Sequence, residues 1–336
     1  MFKKIIISLI GLILIISGTL YWLNSPPDLA REEKIFINKG DSVGSTARLL
    51  KEKNLIKNSD FFKFLAIIQR AGVIDGRYKI FKGMTSNEIL RRLSRGDILK
   101  RKVTIPEGYN IYEIAERLSK EEITGYDDFI RFSFDKDFLL SIGIGSSSAE
   151  GYLYPDTYIL AEGKDSRDII IIMHNRLKKV LESIDISNLQ KLNLTADKLL
   201  NLASLIEKEA KFASERELIS AVFHNRLRNG IALYCDPTVR YAVKKFDGRI
   251  TYRDLQIDSP YNTYKHKDLP PTPICSPGRD SIIAGLNPAK STYLYFVARN
   301  DGSHYFSKTL KEHNRAVDFY QKGINNGFID YQKKQN

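Results

Sequence analysis

Two glutamates near the end of one predicted helix are the residues in this chain whose type and position best suit acid–base chemistry. Thr195 can cap a helix that runs to about Ala210. At about 100° per residue, Glu207 and Glu209 lie about 80° to either side of the centre of the apolar stripe of this helix. That stripe consists of Leu199, Leu202, Ala203, Ile206 and Ala210.

A glutamate beside such a stripe has two interpretations. Apolar surroundings raise the pKa of a carboxyl, and a carboxyl kept protonated near neutral pH can act as a general acid. Alternatively, Glu207 and Glu209 are surface residues that flank a buried face and pair with Lys208 or Arg216. Periodicity does not choose between these interpretations, nor between the two glutamates.

Residues suited to holding a sugar are concentrated in the loops that follow this helix. Asp236 stands before a proline, which favours a turn. The segment 258–278 contains five of the eleven prolines and carries Tyr261, Asn262 and Tyr264. A long loop with little regular structure is commonly functional. Rigid structural loops share this composition, so the pattern alone does not establish a binding site.

No convincing constellation for metal-dependent or nucleophilic catalysis stands out in the sequence. It contains no H-E-x-x-H and no Walker motif. Two cysteines, Cys235 and Cys275, exclude a disulfide-stapled scaffold and a Cys-rich zinc fold, although the two could meet in an oxidising compartment. We therefore expect no metal and no cofactor. The five histidines are scattered, at positions 174, 224, 266, 304 and 313.

Composition limits the class of protein. The chain has 336 residues, which allows two or three domains with their own cores. Its 43% hydrophobic and 27% charged residues exclude wholesale disorder. The net charge of +12 suits an anionic partner, which could be nucleic acid, anionic lipid or a cell-wall polymer.

The N-terminus predicts a membrane anchor. Residues 5–23 carry no charge, and a helix of about 20 apolar residues crosses a bilayer. Lys3 and Lys4 precede this run, and Tyr21-Trp22 lie near its far end, so the tip 1–4 should be cytoplasmic and the rest of the chain extracytoplasmic. That part would be periplasmic where an outer membrane exists, which argues against nucleic acid. A cleaved signal peptide is the alternative, but its apolar core would be only about 7–15 residues long.

An internal repeat follows a proline-containing linker at 24–33. A short apolar strand, a glycine turn and a helix recur at an offset of 68 residues, and a weaker copy lies between the two. Glycine permits a positive φ at each turn, and Ser42, Ser86 and Asn110 are candidate helix caps. The matched glycines are Gly40 and Gly108, with Gly83 in the weaker copy.

The repeat unit resembles a LysM-type carbohydrate-binding module, because two strands with intervening helices fall within about 60 residues. The first module would span 34–98, and the second copy, 99–165, would join the main domain. A packing repeat without a ligand is the alternative. The fold class predicted is therefore α+β, with a single N-terminal transmembrane helix, a LysM-like module and a mixed α/β domain at 166–336.

Seven short segments in the last two-thirds of the chain resemble the endolytic murein transglycosylases, the YceG-like family. Each segment is short, but together and in this order they are highly specific. The segments are Glu150-Gly151-Tyr152-Leu153-Tyr154-Pro155-Asp156-Thr157-Tyr158, Ala203-Ser204-Leu205-Ile206-Glu207-Lys208-Glu209, Asp236-Pro237-Thr238-Val239, Asp258-Ser259-Pro260-Tyr261-Asn262-Thr263-Tyr264, Leu269-Pro270-Pro271 through Ile274-Cys275-Ser276-Pro277-Gly278, Leu286-Asn287-Pro288-Ala289, and Gly302-Ser303-His304-Tyr305-Phe306-Ser307.

The resemblance implies a lyase that acts on peptidoglycan. Such enzymes cleave the β-1,4 bond between N-acetylmuramic acid and N-acetylglucosamine within nascent glycan strands and leave 1,6-anhydro ends. They act in cell wall assembly, where cleavage can terminate strand elongation, and peptidoglycan synthases are implied partners. The resemblance makes 166–336 the catalytic domain and Glu207 the catalytic residue. Candidates for holding the substrate are Glu209, Asp236, Tyr261, Asn262, Tyr264 and His304.

Two rival functions remain open at this stage. A hydrolytic muramidase would need a second carboxylate near the bond, such as Asp236 or Asp258. A non-catalytic, membrane-anchored scaffold would bind glycan through the LysM-like unit alone. The chain also departs from the family pattern at Tyr234-Cys235, where a Gln and a small polar residue are expected, so substrate contacts there are open.

Overall fold

The chain is a mixture of helices and short strands, in agreement with the α+β class predicted. The structure is a computed structural model, and it describes residues 2–27, 32–324, 327–330 and 332. The chain divides into two compact units. The first comprises 1–103, 121–124 and 159–164, and the second comprises 104–120, 125–158 and 165–336.

The N-terminal helix α1 spans Phe2–Asn24 and contains the apolar run at 5–23. It is long and apolar enough to cross a membrane, and none of its residues is buried. Part of the linker that we predict at 24–33 lies outside the described residues, namely 28–31, as does Met1 of the tip.

The first unit continues with a strand–helix–helix–strand arrangement. Strands β1 and β2 pair antiparallel, and Ile35 stands opposite Tyr78. Both side chains are buried in a core that also contains Leu50, Phe62 and Leu93. The elements after α1 are β1 (Glu33–Ile37), α2 (Val43–Glu52), α3 (Ser59–Ile68), β2 (Gly76–Ile80), α4 (Ser86–Arg95) and β3 (Lys100–Thr104).

The second unit is mainly helical. Its elements are α5 (Ile111–Lys120), α6 (Tyr126–Ser133), α7 (Lys136–Ser141), α8 (Ser166–Glu182), α9 (Asn188–Lys191), α10 (Ala196–Glu209), α11 (Arg216–Arg228), α12 (Asp236–Ala242), α13 (Arg279–Leu286), β5 (Tyr295–Ala298), β6 (His304–Ser307) and α14 (Leu310–Lys322). Strands β5 and β6 form an antiparallel hairpin, which the apolar runs at 293–297 and 305–307 predict. Strand β4 (Thr157–Ala161) pairs with β3, and both strands lie mostly in the first unit.

The internal repeat is visible in the elements. Helix α5 begins and ends 68 residues after α2. Each copy begins its helix after a turn glycine with positive φ, which is 90° at Gly40, 87° at Gly83 and 78° at Gly108. These angles lie in the region that favours glycine over residues with a Cβ.

The predicted helix caps are right in part. Ser42 caps α2 by accepting the backbone N–H of Ser45, and Asn110 accepts the N–H of Glu113 at the start of α5. Ser86 does not cap α4, because Thr85 takes that position and Ser86 is the first helical residue. The segment Ser214-Glu215-Arg216-Glu217 also predicts a capping box. That prediction is wrong, because a 3₁₀ turn at Ala213–Glu215 precedes α11 and makes Glu215 its N-cap, without a side-chain hydrogen bond.

Helix α10 lies in the core of the second unit. Thr195 caps it by accepting the backbone N–H of Lys198 at 3.2 Å, as predicted. Four of the five predicted stripe residues are buried, and burial extends to all eight residues from Leu199 to Ile206. The fifth, Ala210, is half-buried and forms the C-cap of the helix. Contacts with α11 and α13 on either side explain this burial. Because α10 is fixed over most of its length, its last turn is held rigidly.

Glu150 is a buried carboxyl that links distant segments of the second unit. Its side chain is fully buried, and one oxygen accepts the backbone N–H of Ile111 at 3.1 Å and the hydroxyl of Tyr241 at 3.0 Å. Burial is the main cause that raises the pKa of Glu150 from 4.5 to about 8. The folded chain therefore favours the protonated acid here.

This shift predicts how stability depends on pH. Between pH 4.5 and about 8 the folded state binds more proton at Glu150 than the unfolded state, so the free energy of unfolding falls as pH rises across that window. We expect Glu150→Gln to remove part of this loss, on the order of 3 kcal/mol between pH 5 and 8.5. Melting temperatures of the full chain in mild detergent at both pH values test this. Glu116→Gln, at an exposed carboxyl, is the control. An equal fall in wild type and Glu150→Gln would contradict the prediction.

Candidate active site

Glu207 lies in the last turn of α10 and does not point into bulk solvent. Its side chain is 8% exposed. One carboxylate oxygen, Oε2, accepts the backbone N–H of Gly278 at 2.9 Å, and the other, Oε1, lies 3.6 Å from the guanidinium of Arg216. The guanidinium presents a positive charge to the carboxylate and the amide donates a hydrogen bond, so the position of this side chain is defined by both neighbours.

Two loops of the second unit meet at Glu207. The turn after β3 and the segment before α13 are joined by two backbone hydrogen bonds: the N–H of Gly108 donates to Ser276 at 2.9 Å, and the N–H of Ser276 donates to Tyr109 at 2.8 Å. Lys208 donates to the carbonyl of Gly108 at 3.1 Å, which ties the first loop to α10. A Cβ on Gly108 would lie 3.7 Å from the side chain of Glu207, so this loop packs directly on the glutamate.

The first of these loops brings a second carboxyl to the site. Glu107 precedes Gly108, and its carboxyl carbon lies 2.1 Å from the point where a Cβ on Gly278 would be. Burial, followed by the negative charge of Glu207, raises the pKa of Glu107, while Arg216 opposes the shift. Gly278 therefore contacts both glutamates. Its amide donates the hydrogen bond to Glu207, and the lack of a side chain leaves room for the carboxyl of Glu107.

Sequence reasoning missed Glu107, although the repeat contains a signal for it. The residue before the turn glycine is a lysine in the other two copies, Lys39 and Lys82, and a glutamate in this one. Because the three turns are otherwise equivalent, packing of the turn does not require a negative charge at this position. The change from lysine to glutamate therefore singles out Glu107. Its proximity to Glu207 was not deducible, because it depends on contact between loops that are about 170 residues apart.

Glu209 occupies a different environment from Glu207. Burial raises the pKa of Glu209 to about 7, and the charge of Asp236 adds to the shift. The thiol of Cys235 and the cation of Arg226 oppose it. Pairing of Cys235 with Cys275 does not occur in this structure, where both thiols are free and buried. The raised pKa makes Glu209 the rival acid on physical grounds.

Asp236 and Tyr264 adjoin each other near Glu209. The Tyr264 hydroxyl donates to the carboxylate of Asp236, which is exposed at the first position of α12. The ring of Tyr264 meets that of Tyr234 edge to face, with centroids 5.3 Å apart. Tyr234 is 46% exposed and has φ of +47°. The departure at Tyr234-Cys235 thus places an aromatic ring on the surface and a thiol beneath it.

Three other predicted site residues make contacts within the fold. Asn262 is fully buried; its amide donates to two loop carbonyls, and its oxygen accepts the N–H of Tyr264. Tyr261 shares a hydrogen bond with Thr272 at 2.8 Å. His304 is 8% exposed and contacts Glu215 through ring Nδ1 at 2.7 Å.

Through these contacts the three residues hold neighbouring segments of the chain in place. Asn262 and Tyr261 shape the long loop, and His304 fixes Glu215, the neighbour of Arg216. Their direct contact with a substrate stays a prediction. Asp258, the alternative second carboxylate, is exposed.

A cavity of about 1100 Å³ lies elsewhere in the second unit. It is bounded by the first half of α10, the end of α11 and the segment 268–273, and its lining includes Asp197, Asn201 and His224. Glu207 does not line this cavity. The glutamate site is therefore defined by its loops and hydrogen bonds rather than by this cavity.

These elements describe an α+β protein with a glutamate-centred site, and comparison with known proteins places it in a family. A sequence profile of the YceG-like family matches residues 35–319. The chain belongs to the YceG-like family.

Named relatives and a solved structure agree with this placement. The chain is 36% identical to a protein of Bacillus subtilis named endolytic murein transglycosylase, over 91% of each chain. It is 32% identical to a protein of the same name from Streptococcus pneumoniae, over 84% of this chain and 57% of that protein. A crystal structure of a yceG-like protein from Listeria monocytogenes matches with a TM-score of 0.60 and 34% identity, over 85% of this chain and 99% of that one.

The close approach at Gly278 generates a testable prediction. In Gly278→Ala the new Cβ would collide with the carboxyl of Glu107, which stands at the end of a flexible side chain and can rotate away. The φ of −74° suits alanine. We expect a folded protein with the hydrogen bond to Glu207 retained and the Glu107 carboxyl displaced, as seen in a crystal structure of the variant. An unmoved Glu107 would contradict the packing described above.

Proposed function

We propose that this chain is an endolytic murein transglycosylase. In this proposal it cleaves the β-1,4 bond between N-acetylmuramic acid and N-acetylglucosamine inside glycan strands and leaves 1,6-anhydro ends. Membership of the YceG-like family and the names of its relatives support the proposal. The observation that carries it is the sequestered carboxyl of Glu207, which adjoins Arg216 and the amide of Gly278.

One carboxyl can serve both halves of this reaction. Protonated Glu207 donates its proton to the glycosidic oxygen as the bond from that oxygen to C1 of the muramic acid breaks. The resulting carboxylate then accepts the proton of the C6 hydroxyl of the same sugar while that oxygen bonds to C1. The proton returns to Glu207, and no water is consumed. Because the nucleophile belongs to the substrate, attack is intramolecular and favoured by proximity.

The contacts of Glu207 suit the middle of this sequence. The Gly278 amide and the Arg216 guanidinium both complement the negative charge that Glu207 acquires after its first proton transfer. Asp236, Tyr264 and Glu209 are proposed to face the glycan. Asn262, Tyr261 and His304 are proposed to act by holding the surrounding loops, because their polar groups are already engaged there.

The remaining parts of the chain fit a membrane-bound wall enzyme. We propose that α1 is a single-pass anchor with a cytoplasmic N-terminus, which confines cleavage to nascent strands near the membrane and can terminate their elongation. The order β1–α2–α3–β2, with antiparallel pairing, supports a LysM-like module at 34–98. The second repeat at 99–165 would then join a catalytic domain at 166–336, and peptidoglycan synthases are the proposed partners.

The assignment of the acid is tested by two matched substitutions on α10. Glu207→Gln keeps the shape of the side chain but removes its proton, so we expect release of muropeptides from purified peptidoglycan to fall at least about 100-fold. Glu209→Gln should lower it less than about tenfold, because Glu209 is engaged with Cys235. Melting temperatures verify folding. If Glu209→Gln alone abolished cleavage, the acid would have been assigned to the wrong carboxyl.

The nature of the products tests the reaction class. Mass analysis of glycan digested by the wild-type chain should show 1,6-anhydro ends, because the C6 hydroxyl is the nucleophile. Reducing ends would indicate a hydrolytic muramidase with water as nucleophile, for which Glu107 would be the second carboxyl. Binding of glycan without turnover would instead support the scaffold function.

A further inference from the structure

Helix α3 of the first unit is apolar on its outer side as well as on its inner side. Phe62 and Ala66 are buried in the core of the unit. Phe64, Ile67 and Ile68 lie on the opposite side, three and four residues apart, and are 48%, 75% and 63% exposed. A helix on the surface of a soluble domain normally has polar residues there, whereas a helix that is apolar all round is buried in protein or in a membrane. The outer face of α3, formed by Phe64, Ile67 and Ile68, is therefore a candidate contact surface.

The start of α3 is tied to the last turn of α1. Lys57 stands two residues before α3, and its Nζ donates to Ser25 Oγ at 2.6 Å and to the carbonyl of Trp22 at 3.3 Å. The same ammonium lies 4.8 Å from the centroid of the Trp22 ring. These three contacts hold the beginning of α3 beside residues 22–25.

The end of α3 is tied to the same turn through α4. Gln69, the C-cap of α3, donates from its side chain to Asn87 at 2.8 Å. Asn87 in turn donates its backbone N–H to the side-chain oxygen of Asn24 at 3.0 Å. Because both ends of α3 are connected to residues 22–25, the helix lies at the level of the end of α1.

That level is where α1 would leave a membrane. The apolar run ends at Leu23, and Tyr21 and Trp22 are residue types that favour the membrane–water interface. Basic residues also stand at the two ends of α3, namely Lys57 and Arg70. Segments that lie in the interface combine an apolar face with basic residues that anionic lipid headgroups attract. Continuity with α1 and charge complementarity thus both favour a lipid surface as the partner of α3.

We propose that α3 is an interfacial helix, and that its outer face inserts among the lipids of the leaflet from which α1 emerges. This inference rests on the proposed role of α1 as a membrane anchor and adds a second membrane contact to it. The apolar side chains enter the boundary of the acyl chains, while Lys57 and Arg70 stay beside the headgroups. The first unit is then held against the membrane through α3 as well as through α1.

Tryptophan fluorescence in liposomes tests the position of this face. The sequence contains one tryptophan, Trp22, so Ile67→Trp in a Trp22→Phe background places a single reporter on α3, and phenylalanine keeps a ring beside Lys57. The full chain is reconstituted in lipid that is brominated near the top of its acyl chains. We expect the emission of the Ile67→Trp variant to fall by about half, because an interfacial helix buries its apolar face about 5–10 Å into the boundary of headgroups and acyl chains.

A matched control comes from the same unit. Ile159 is 73% exposed but belongs to β4, so the emission of Ile159→Trp in the same background should not change with brominated lipid. Phe64→Trp is a second reporter on the outer face, for use if Ile67→Trp folds poorly. Circular dichroism verifies the fold of each variant.

Wild type, with Trp22 as its reporter, separates this inference from the proposed anchor. Quenching of Trp22 without quenching at positions 64 and 67 would refute the insertion of α3 and leave the anchor intact. Equal quenching of Ile159→Trp would also refute it, since lipid would then contact the unit without preference for this face. Protection of the α3 reporters from aqueous acrylamide without quenching by lipid would identify a second copy of the chain as the cover, against the proposal. If Trp22 is not quenched, the anchor itself fails.

Discussion

The hydrogen bond from the amide of Gly278 to Glu207 is the contact through which the parts of the site depend on each other. It joins the end of α10 to the start of α13, two helices that also pack along their lengths. The loop that carries Glu107 reaches the same place through Ser276, two residues earlier. Because Gly278 has no side chain, the carboxyls of Glu107 and Glu207 can approach a single residue from different directions. Any larger residue there would separate them.

Helix geometry explains why Glu207 and Glu209, which are two residues apart, have different surroundings. Successive helical residues turn by about 100°, so Glu207 and Glu209 leave α10 in nearly opposite directions. Glu207 meets a guanidinium and an amide, whereas Glu209 meets a thiol and the charge of Asp236. A raised pKa alone would favour Glu209 as the acid. The family pattern favours Glu207, and the proposed function follows the pattern because Glu207 also adjoins a second carboxyl.

Local physical rules predict the elements of this fold better than they predict its site. Periodicity and capping correctly place α10 and its start at Thr195, and the repeat correctly places three glycine turns. The choice of cap fails at Ser86 and Ser214, where neighbouring residues compete for the same position. Whether Asn262 is exposed depends on tertiary packing, and composition carries no information about it. The pairing of Glu107 with Glu207 likewise arises from long-range contact.

The three related turns show how a fold can acquire chemistry at low structural cost. The backbone of each turn is secured by its glycine and by the helix that follows, so the residue before the glycine has little effect on folding. Two copies keep a solvated lysine there. In the third copy the same place faces α10, and a single change of charge adds an acid without altering the main chain. The repeat thus offers three equivalent turn positions, and among them the one beside α10 carries the acid.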